Sequence, residues 1–216
     1  MQPADPHIQS TKLATHAELP VAESCLRNQK PIADVLSRFL TPDMVVFEVG
    51  SGTGQHAAYM TEQLRGIHWQ PSELPGCLSA IRAWREHSKQ AGFLAPVELD
   101  ISQDIWPLRN MDAVFSANVV HFVSWSQVVA MFKGISRSLK DNGLVLLYGP
   151  YNYDGRFTSE GNIALDEWLR MRDPDSGIKD FEQIVLLGRQ HQLHLLHDIE
   201  MPANNRMLVF EKHPQP

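Results

Sequence analysis

Apolar residues recur along this chain with two periods, and the alternation between them is regular. Over 27–40, Ile32, Val35, Leu36, Phe39 and Leu40 fall at i, i+3, i+4, i+7 and i+8, which predicts a helix with one buried face. Pro31 sits near its start, where a missing N–H does little harm. Thr41-Pro42-Asp43 ends it. Short apolar runs of strand length follow at 44–49, 67–71, 93–99, 113–117 and 144–148. Helical segments separate them at 54–65, 74–91 and 124–139. In the last, Trp125, Val128, Val129, Phe132, Ile135 and Leu139 share a face, and Asn142-Gly143 supplies a stop. This alternation predicts βαβ units and a parallel sheet.

After Tyr148 the rhythm changes. Residues 149–161 read as a long loop rich in Gly, Pro, Asn and Tyr, followed by helices at 162–172 and 180–191. Two closing strands, 193–200 and 206–212, are joined by Pro202-Ala203-Asn204-Asn205, so an antiparallel pair is expected. Residues 1–20 keep no sustained period and read as a flexible arm. Residues 21–216 contain no repeat, low-complexity tract or linker and read as one domain.

The junction 45–56 adds chemistry to this pattern. The apolar run Val45-Val46-Phe47 leads into Glu48-Val49 and then Gly50-Ser51-Gly52-Thr53-Gly54. A strand that delivers a glycine turn to a helix start lets backbone approach a ligand and points free N–H groups at it. A pyrophosphate cofactor prefers G-x-G-x-x-G. The spacing here is G-x-G-x-G with an acid two residues before it, which favours a positively charged cofactor without pyrophosphate. Glu48 is placed either to fix the loop or to reach a ligand's positive end. Glu73, at the end of the second strand, is placed to accept both hydroxyls of a ribose. Asp100 and Ile101 follow the third strand, and Ser116-Ala117-Asn118-Val119-Val120-His121 the fourth. All four features fall at strand carboxyl ends, where open α/β sheets bind ligands.

Composition narrows the classes. The 216 residues are 43% hydrophobic and 20% charged, with a formal charge of −6, and the chain holds no basic run. That fits a globular domain and argues against a nucleic-acid partner. No apolar stretch is long enough to span a bilayer, and the first twenty residues lack the apolar core of a signal peptide. The expectation is a cytoplasmic protein with no membrane partner. Cys25 and Cys77 fit free thiols there, with one disulfide left open. His191, His194 and His197 cross from helix into strand, which would scatter their rings over different faces, and no acidic or cysteine ligand completes the set, so no metal is expected.

These residues carry a resemblance. The E-x-G-x-G-x-G turn, with the strand-end acids, resembles the class I S-adenosylmethionine-dependent methyltransferases over roughly 44–150. A closer match is to the DUF938, or methyltransferase-like 26, family. It rests on Arg27-Asn28-Gln29-Lys30-Pro31-Ile32, Gly50-Ser51-Gly52-Thr53-Gly54-Gln55-His56, Trp69-Gln70-Pro71-Ser72, Asn118-Val119-Val120-His121, Tyr148-Gly149-Pro150-Tyr151 and Met201-Pro202-Ala203-Asn204-Asn205. Glu73 stands where the family more often has Asp. The resemblance implies a Rossmann-like α/β fold: a seven-stranded, mostly parallel sheet with its last strand antiparallel and helices on both faces. It implies S-adenosyl-L-methionine as cofactor and says little of the acceptor; the expected reaction is methyl transfer to a small molecule.

By position, Gly50, Ser51, Gly52 and Gln55 would flank the methionine and ribose. Glu73 would hold the ribose, Asp100 and Ile101 the adenine, and Asn118 the methionine end. Arg27 and Asn28 would close over the cofactor. If the acceptor must lose a proton, His121 is the first candidate base, with Tyr151 and Asp166 next. The alternative for His121 is a residue that orders its loop. Residues 151–159 read as a substrate wall or as a surface loop with a helix cap. Asn162, Asp166 and Arg170 read as a pocket-lining face or as a solvated face with an ion pair. Trp69 is expected to leave the core for the ribose. Two other classes stay in view: a non-catalytic binder of S-adenosylmethionine or S-adenosylhomocysteine, and a nicotinamide-dependent oxidoreductase. Monomer and homodimer are both compatible with the sequence.

Overall fold

The computed structural model describes residues 19–214. The arm expected over 1–20 lies, except for its last two residues, outside the described residues. Within them the chain runs α1 (Glu23–Leu36), β1 (Val45–Val49), α2 (Gln55–Gln63), β2 (His68–Glu73), α3 (Ser79–Ser88), β3 (Val97–Glu98), β4 (Met111–Ala117) and α4 (Val119–Phe122). It continues through α5 (Trp125–Ser138), β5 (Leu139–Gly149), α6 (Glu160–Arg172), α7 (Phe181–Gln190), β6 (Leu193–Met201) and β7 (Asn205–Lys212).

The strands form one seven-stranded sheet in the order β3-β2-β1-β4-β5-β7-β6. Pairs β1–β2, β2–β3, β1–β4 and β4–β5 are parallel, and β7 runs antiparallel to both β5 and β6. This is the seven-stranded Rossmann-like arrangement the resemblance implied. The sheet is covered on both faces, which is why its strands read as continuous apolar runs. Alternate residues serve opposite layers. Val46, Trp69, Phe115 and Leu146 pack in the α1–α3 layer, and Phe47, Val49, Val114 and Val145 in the α5–α7 layer. Each fully buried side chain such as Phe47 contributes roughly 1.5–3 kcal/mol.

Successive strands step outward from β1 to β3, and the chain then returns to place β4 on the other side of β1. That reversal opens a crevice between the carboxyl ends of β1 and β4. Some boundaries differ from the sequence pattern. The third strand is short because Pro96 lacks an N–H for the ladder, and Phe93 forms only an isolated bridge with Trp69. Helix α5 stops at Ser138 because Leu139 is already extended and pairs with Met111. Asn142, with φ of 63°, bends the start of β5 and does not end the helix.

Candidate functional site

The glycine turn is held from below and from both sides. Ser51 N donates to Ser72 O at 2.9 Å, Ser72 N to Ser51 Oγ at 3.1 Å, and Ser72 Oγ to Glu48 O at 2.7 Å. Gly50 has φ of +73°, and a Cβ there would collide with the Val119 side chain at the start of α4. Gly54 has φ of +89°, and a Cβ would lie 2.9 Å from the Ile81 backbone. The turn is therefore glycine-bound at these two places by the approach of α4 and α3 as well as by backbone angle.

Above it lies a cavity of about 330 Å³. Val49 and Gly50 contribute to its lining, as do Glu73, Leu74, Leu99, Asp100 and Ile101. Ala117, Asn118, Val119, Phe122, Val123 and Gln127 complete it from β4 through α5. Glu73 is fixed by two backbone donors: Gly52 N reaches Oε2 and Leu74 N reaches Oε1, each at 2.9 Å. Asp100 Oδ1 accepts from Ser102 N at 2.9 Å. Asn118 adopts φ of 64° and donates its N–H to Tyr148 O at 2.8 Å, which turns the chain sharply from β4 into α4. Gln127 is locked by the capping box of α5, its Oε1 accepting from Ser124 N at 3.0 Å.

The sequence pattern missed Leu74, Leu99, Phe122, Val123 and Gln127. Most flank residues it did single out, so adjacency to a strand end was the available signal. The cleft's charged lining residues are Glu73 and Asp100, both acids.

Several expected ligand groups lie beneath the turn instead. Glu48 shares strand parity with Val46, so it faces the α1–α3 layer. It is 1% exposed and does not line the cleft. Its Oε2 accepts from Trp69 Nε1 at 3.0 Å, which keeps Trp69 in the core and corrects the expectation that Trp69 sits at the ribose. His56 Nε2 lies 2.8 Å from Asn28 Oδ1, and its Nδ1 lies 3.9 Å from Glu48 Oε1. An amide oxygen only accepts, so the proton belongs on Nε2 and a bare Nδ1 faces Glu48.

Burial pushes the Glu48 carboxyl up to about 7 and the His56 imidazole down to about 4. Burial, then the charge of Glu48, pushes the free Cys25 thiol up to about 12; its Sγ lies 3.9 Å from His56 Nδ1. Gln55 turns the same way, accepting from Thr53 Oγ1 at 3.1 Å and from Ala22 N. Asn28, also bonded to the Tyr148 side chain, thus ties α1 to the sheet, and exposed Arg27 stands near the same tyrosine. Neither Arg27, Asn28, Ser51, Gly52 nor Gln55 lines the cleft.

The three residues expected to move a proton are built into the scaffold. His121 is 4% exposed, packs on Phe122 with ring centroids 4.9 Å apart, and lies outside the cleft lining. Burial, aided by the Lys179 charge, lowers its imidazole to about 3. Tyr151 is 1% exposed within the α5–α7 layer, its phenol pushed upward by burial, and its oxygen has no partner among the described residues. Asp166 receives Ile178 N at Oδ1 and Arg170 Nε at Oδ2, each at 2.7 Å, so one carboxylate oxygen holds the 177–178 bend and the other pairs along α6. The Asp166–Arg170 ion pair forms, but the face is not solvated: Asn162 and Asp166 are buried, and Arg170 alone of the three lines one of the described cavities.

Ser159 caps α6, accepting from Asn162 N at 3.1 Å. The preceding loop is anchored by Tyr153, which donates to Asp198 Oδ2 at 2.8 Å and stacks on Phe181. With Met201, Asn204, Asn205 and Arg206 it encloses a second cavity of about 460 Å³. His194 stacks on His213 and His197 lies against Phe39, so these two histidines have separate neighbours.

Known proteins match this architecture. A family described as "Protein of unknown function (DUF938)" matches residues 19–212. An O-methyltransferase family protein from Burkholderia thailandensis superposes with a TM-score of 0.77 at 15% identity, covering 90% of this chain and 59% of that one. Human N-acetylserotonin methyltransferase, solved in complex with SAM, gives 0.73 at 16% identity over 89% of this chain and 53% of that one. An O-methyltransferase family 2 protein from Planctomyces limnophilus, in complex with apigenin, gives 0.74 at 15% identity over 88% and 60%. At these identities the likeness is one of fold. The chain spans little more than half the length of these neighbours. No helix among the described residues is long and apolar enough to cross a membrane.

Proposed function

The chain belongs to the DUF938 family, and on that premise we propose that residues 21–216 form one domain that transfers a methyl group from S-adenosyl-L-methionine to a small-molecule acceptor. The observation that carries this reading is the charge and placement of the cleft. Its two ionisable lining residues are acids at the ends of β2 and β3, its other wall is largely apolar, and its base is a glycine turn. A cationic nucleoside suits such a lining, whereas a pyrophosphate would meet two carboxylates.

In this reading Glu73, pre-oriented by Gly52 N and Leu74 N, accepts the ribose hydroxyls with its remaining lone pairs. Asp100 accepts from the exocyclic amine of adenine, and Leu99 and Ile101 cover the ring. Gly50 opens the floor, and Asn118 meets the methionine end. Ser51 and Gly52 shape the turn. Glu48, Asn28 and Gln55 support it from below, and Arg27 closes from α1 beside Tyr148. The bound cofactor supplies a methyl group already activated on a sulfonium, so the chain's main task is to align the acceptor and exclude water. The cavity between Tyr153, Met201 and Arg206 is the acceptor's side of this edge.

Calorimetry with S-adenosylhomocysteine, S-adenosylmethionine and NADH tests the reading. Binding of both sulfur compounds and not NADH is expected, and failure of both to bind overturns it. One observation favours a second reading, a binder without catalysis: His121, Tyr151 and Asp166 are all committed to packing or pairing. Transfer of labelled methyl to a metabolite extract separates the two.

A further inference from the structure

Behind the cleft, where the chain between α6 and α7 passes the start of α5, lies a third cavity of about 290 Å³. Its lining mixes signs. Arg170 and Lys179 are cationic, Asp175 and Asp180 anionic, and the Trp125 ring and Asn152 amide belong to the same lining.

Three groups there have unused capacity. The half-buried Lys179 ammonium donates to two backbone carbonyls, Val123 O at 2.9 Å and Gly177 O at 2.8 Å, and pairs with no carboxylate among the described residues. An ammonium has three donors, so one remains. Burial and the nearby charge of Arg170 lower its pKa, partly opposed by the Asp166, Asp173 and Asp175 carboxylates, which act on it without forming an ion pair. Asn152 is 8% exposed, and its Oδ1 has no partner among the described residues. A buried amide oxygen in that state lacks a donor. Exposed Asp175 has a carboxylate that makes no ion pair among the described residues, although its charge acts on Lys179 and its N–H is bonded to Asp173 Oδ1 at 3.0 Å.

A simple anion would satisfy Lys179 and Arg170 but face two aspartates. A simple cation would do the reverse. An apolar guest would leave the Asn152 oxygen and the third Lys179 donor unpaired. A molecule that carries an ammonium and a carboxylate on one carbon answers every group. We propose that this cavity is a binding site for a free α-amino acid. The carboxylate lies toward Lys179 and Arg170, the ammonium toward Asp175, Asp180 and the Asn152 oxygen, and the side chain against Trp125, which is 38% exposed. The site shares no lining residue with the cofactor cleft, although it adjoins it: Val123 lines the cleft and its carbonyl holds Lys179.

The test is calorimetry on the full chain without cofactor, using each of the twenty common L-amino acids, with acetate and methylamine as half-ligands. At least one amino acid is expected to bind one per chain with a Kd below about 5 mM. Each half-ligand should bind at least about threefold more weakly, since it meets half of the groups. Saturating S-adenosylhomocysteine should leave this binding in place, which separates it from a methionine lodged in the cofactor cleft. Asp175→Asn, at an exposed position, should keep the circular dichroism spectrum and weaken binding by about tenfold. Lys179→Met and Trp125→Leu check the other two sides. The proposal falls if no amino acid binds below that Kd, if a half-ligand binds as well, if Asp175→Asn binds unchanged, or if S-adenosylhomocysteine displaces the amino acid. Since the first measurement needs no cofactor, it stands or falls apart from the methyl-transfer reading.

Discussion

The carboxyl edge of the sheet has two halves built on different terms. Over β3, β2, β1 and β4 the chain turns abruptly at each strand end, and residues at or just past each end reach one cleft: Asp100, Glu73, Gly50 and Asn118. Beyond β5 the chain wanders through 150–159 before α6, and residues there and on α6 turn inward. Tyr151 fills the α5–α7 layer, and Asp166 ties down a bend. Short connections let strand position dictate side-chain position. A long connection adds its own packing, which then decides which groups remain free.

The largest expected effect breaks the first half. Gly50→Ala places a Cβ against Val119 at a positive φ, so it should weaken S-adenosylhomocysteine binding by about a hundredfold and cost about 1–3 kcal/mol of stability. Calorimetry and urea unfolding read the two losses. If neither changes, the turn is not the constraint described. Asp166→Ala strikes the second half. Losing both the Arg170 pair and the Ile178 N–H contact should cost about 2–3 kcal/mol. Cofactor affinity should stay within about twofold, as expected of a group that shapes a bend. A large loss of affinity with intact stability would return Asp166 to the cleft.

Acid stability weighs the layers beneath the edge. His56 and His121 have folded pKa values below the ordinary histidine value, about 4 and about 3. Their contribution is present above pH 6.5 and is lost as pH falls below it. Glu48 has a raised folded value of about 7. Its contribution is largest below its ordinary value and fades as pH climbs through 7. Between pH 4.5 and 6.5 one histidine and Glu48 offset each other, leaving a net slope of about 1.4 kcal/mol per pH unit. Glu48→Gln should roughly double that slope, and His121→Asn should flatten it, as urea midpoints across this range would show. A smaller change comes from Glu73→Ala, which should weaken S-adenosylhomocysteine binding by about tenfold through lost charge-assisted bonds, with Glu73→Asp between. An unchanged constant would remove Glu73 from the ribose.

What the sequence made legible follows the same division. The strand order of events, the glycine turn and the acids at strand ends could be read because period and position determine them. The inward turn of His121 and Tyr151 could not, since it depends on packing against α6, α7 and the segment between them. Asp166 is a clear instance: one partner, Arg170, lies a helical turn away, whereas Ile178 N lies on a bend whose path no local pattern announces. Glu48 is different. Its parity with Val46 was present in the sequence and already assigned it to the helix-covered face beneath the turn.

The position of β7 has a consequence for how the molecule is made. It is the seventh strand in chain order but lies between β5 and β6. During synthesis β5 therefore stays a bare edge until residues through 212 have left the ribosome, with Val145 and Leu147 on a strand lacking its neighbour. Nascent chains stalled before that point would offer an open template for wrong pairing, so the final strand acts as a seal against aggregation during translation.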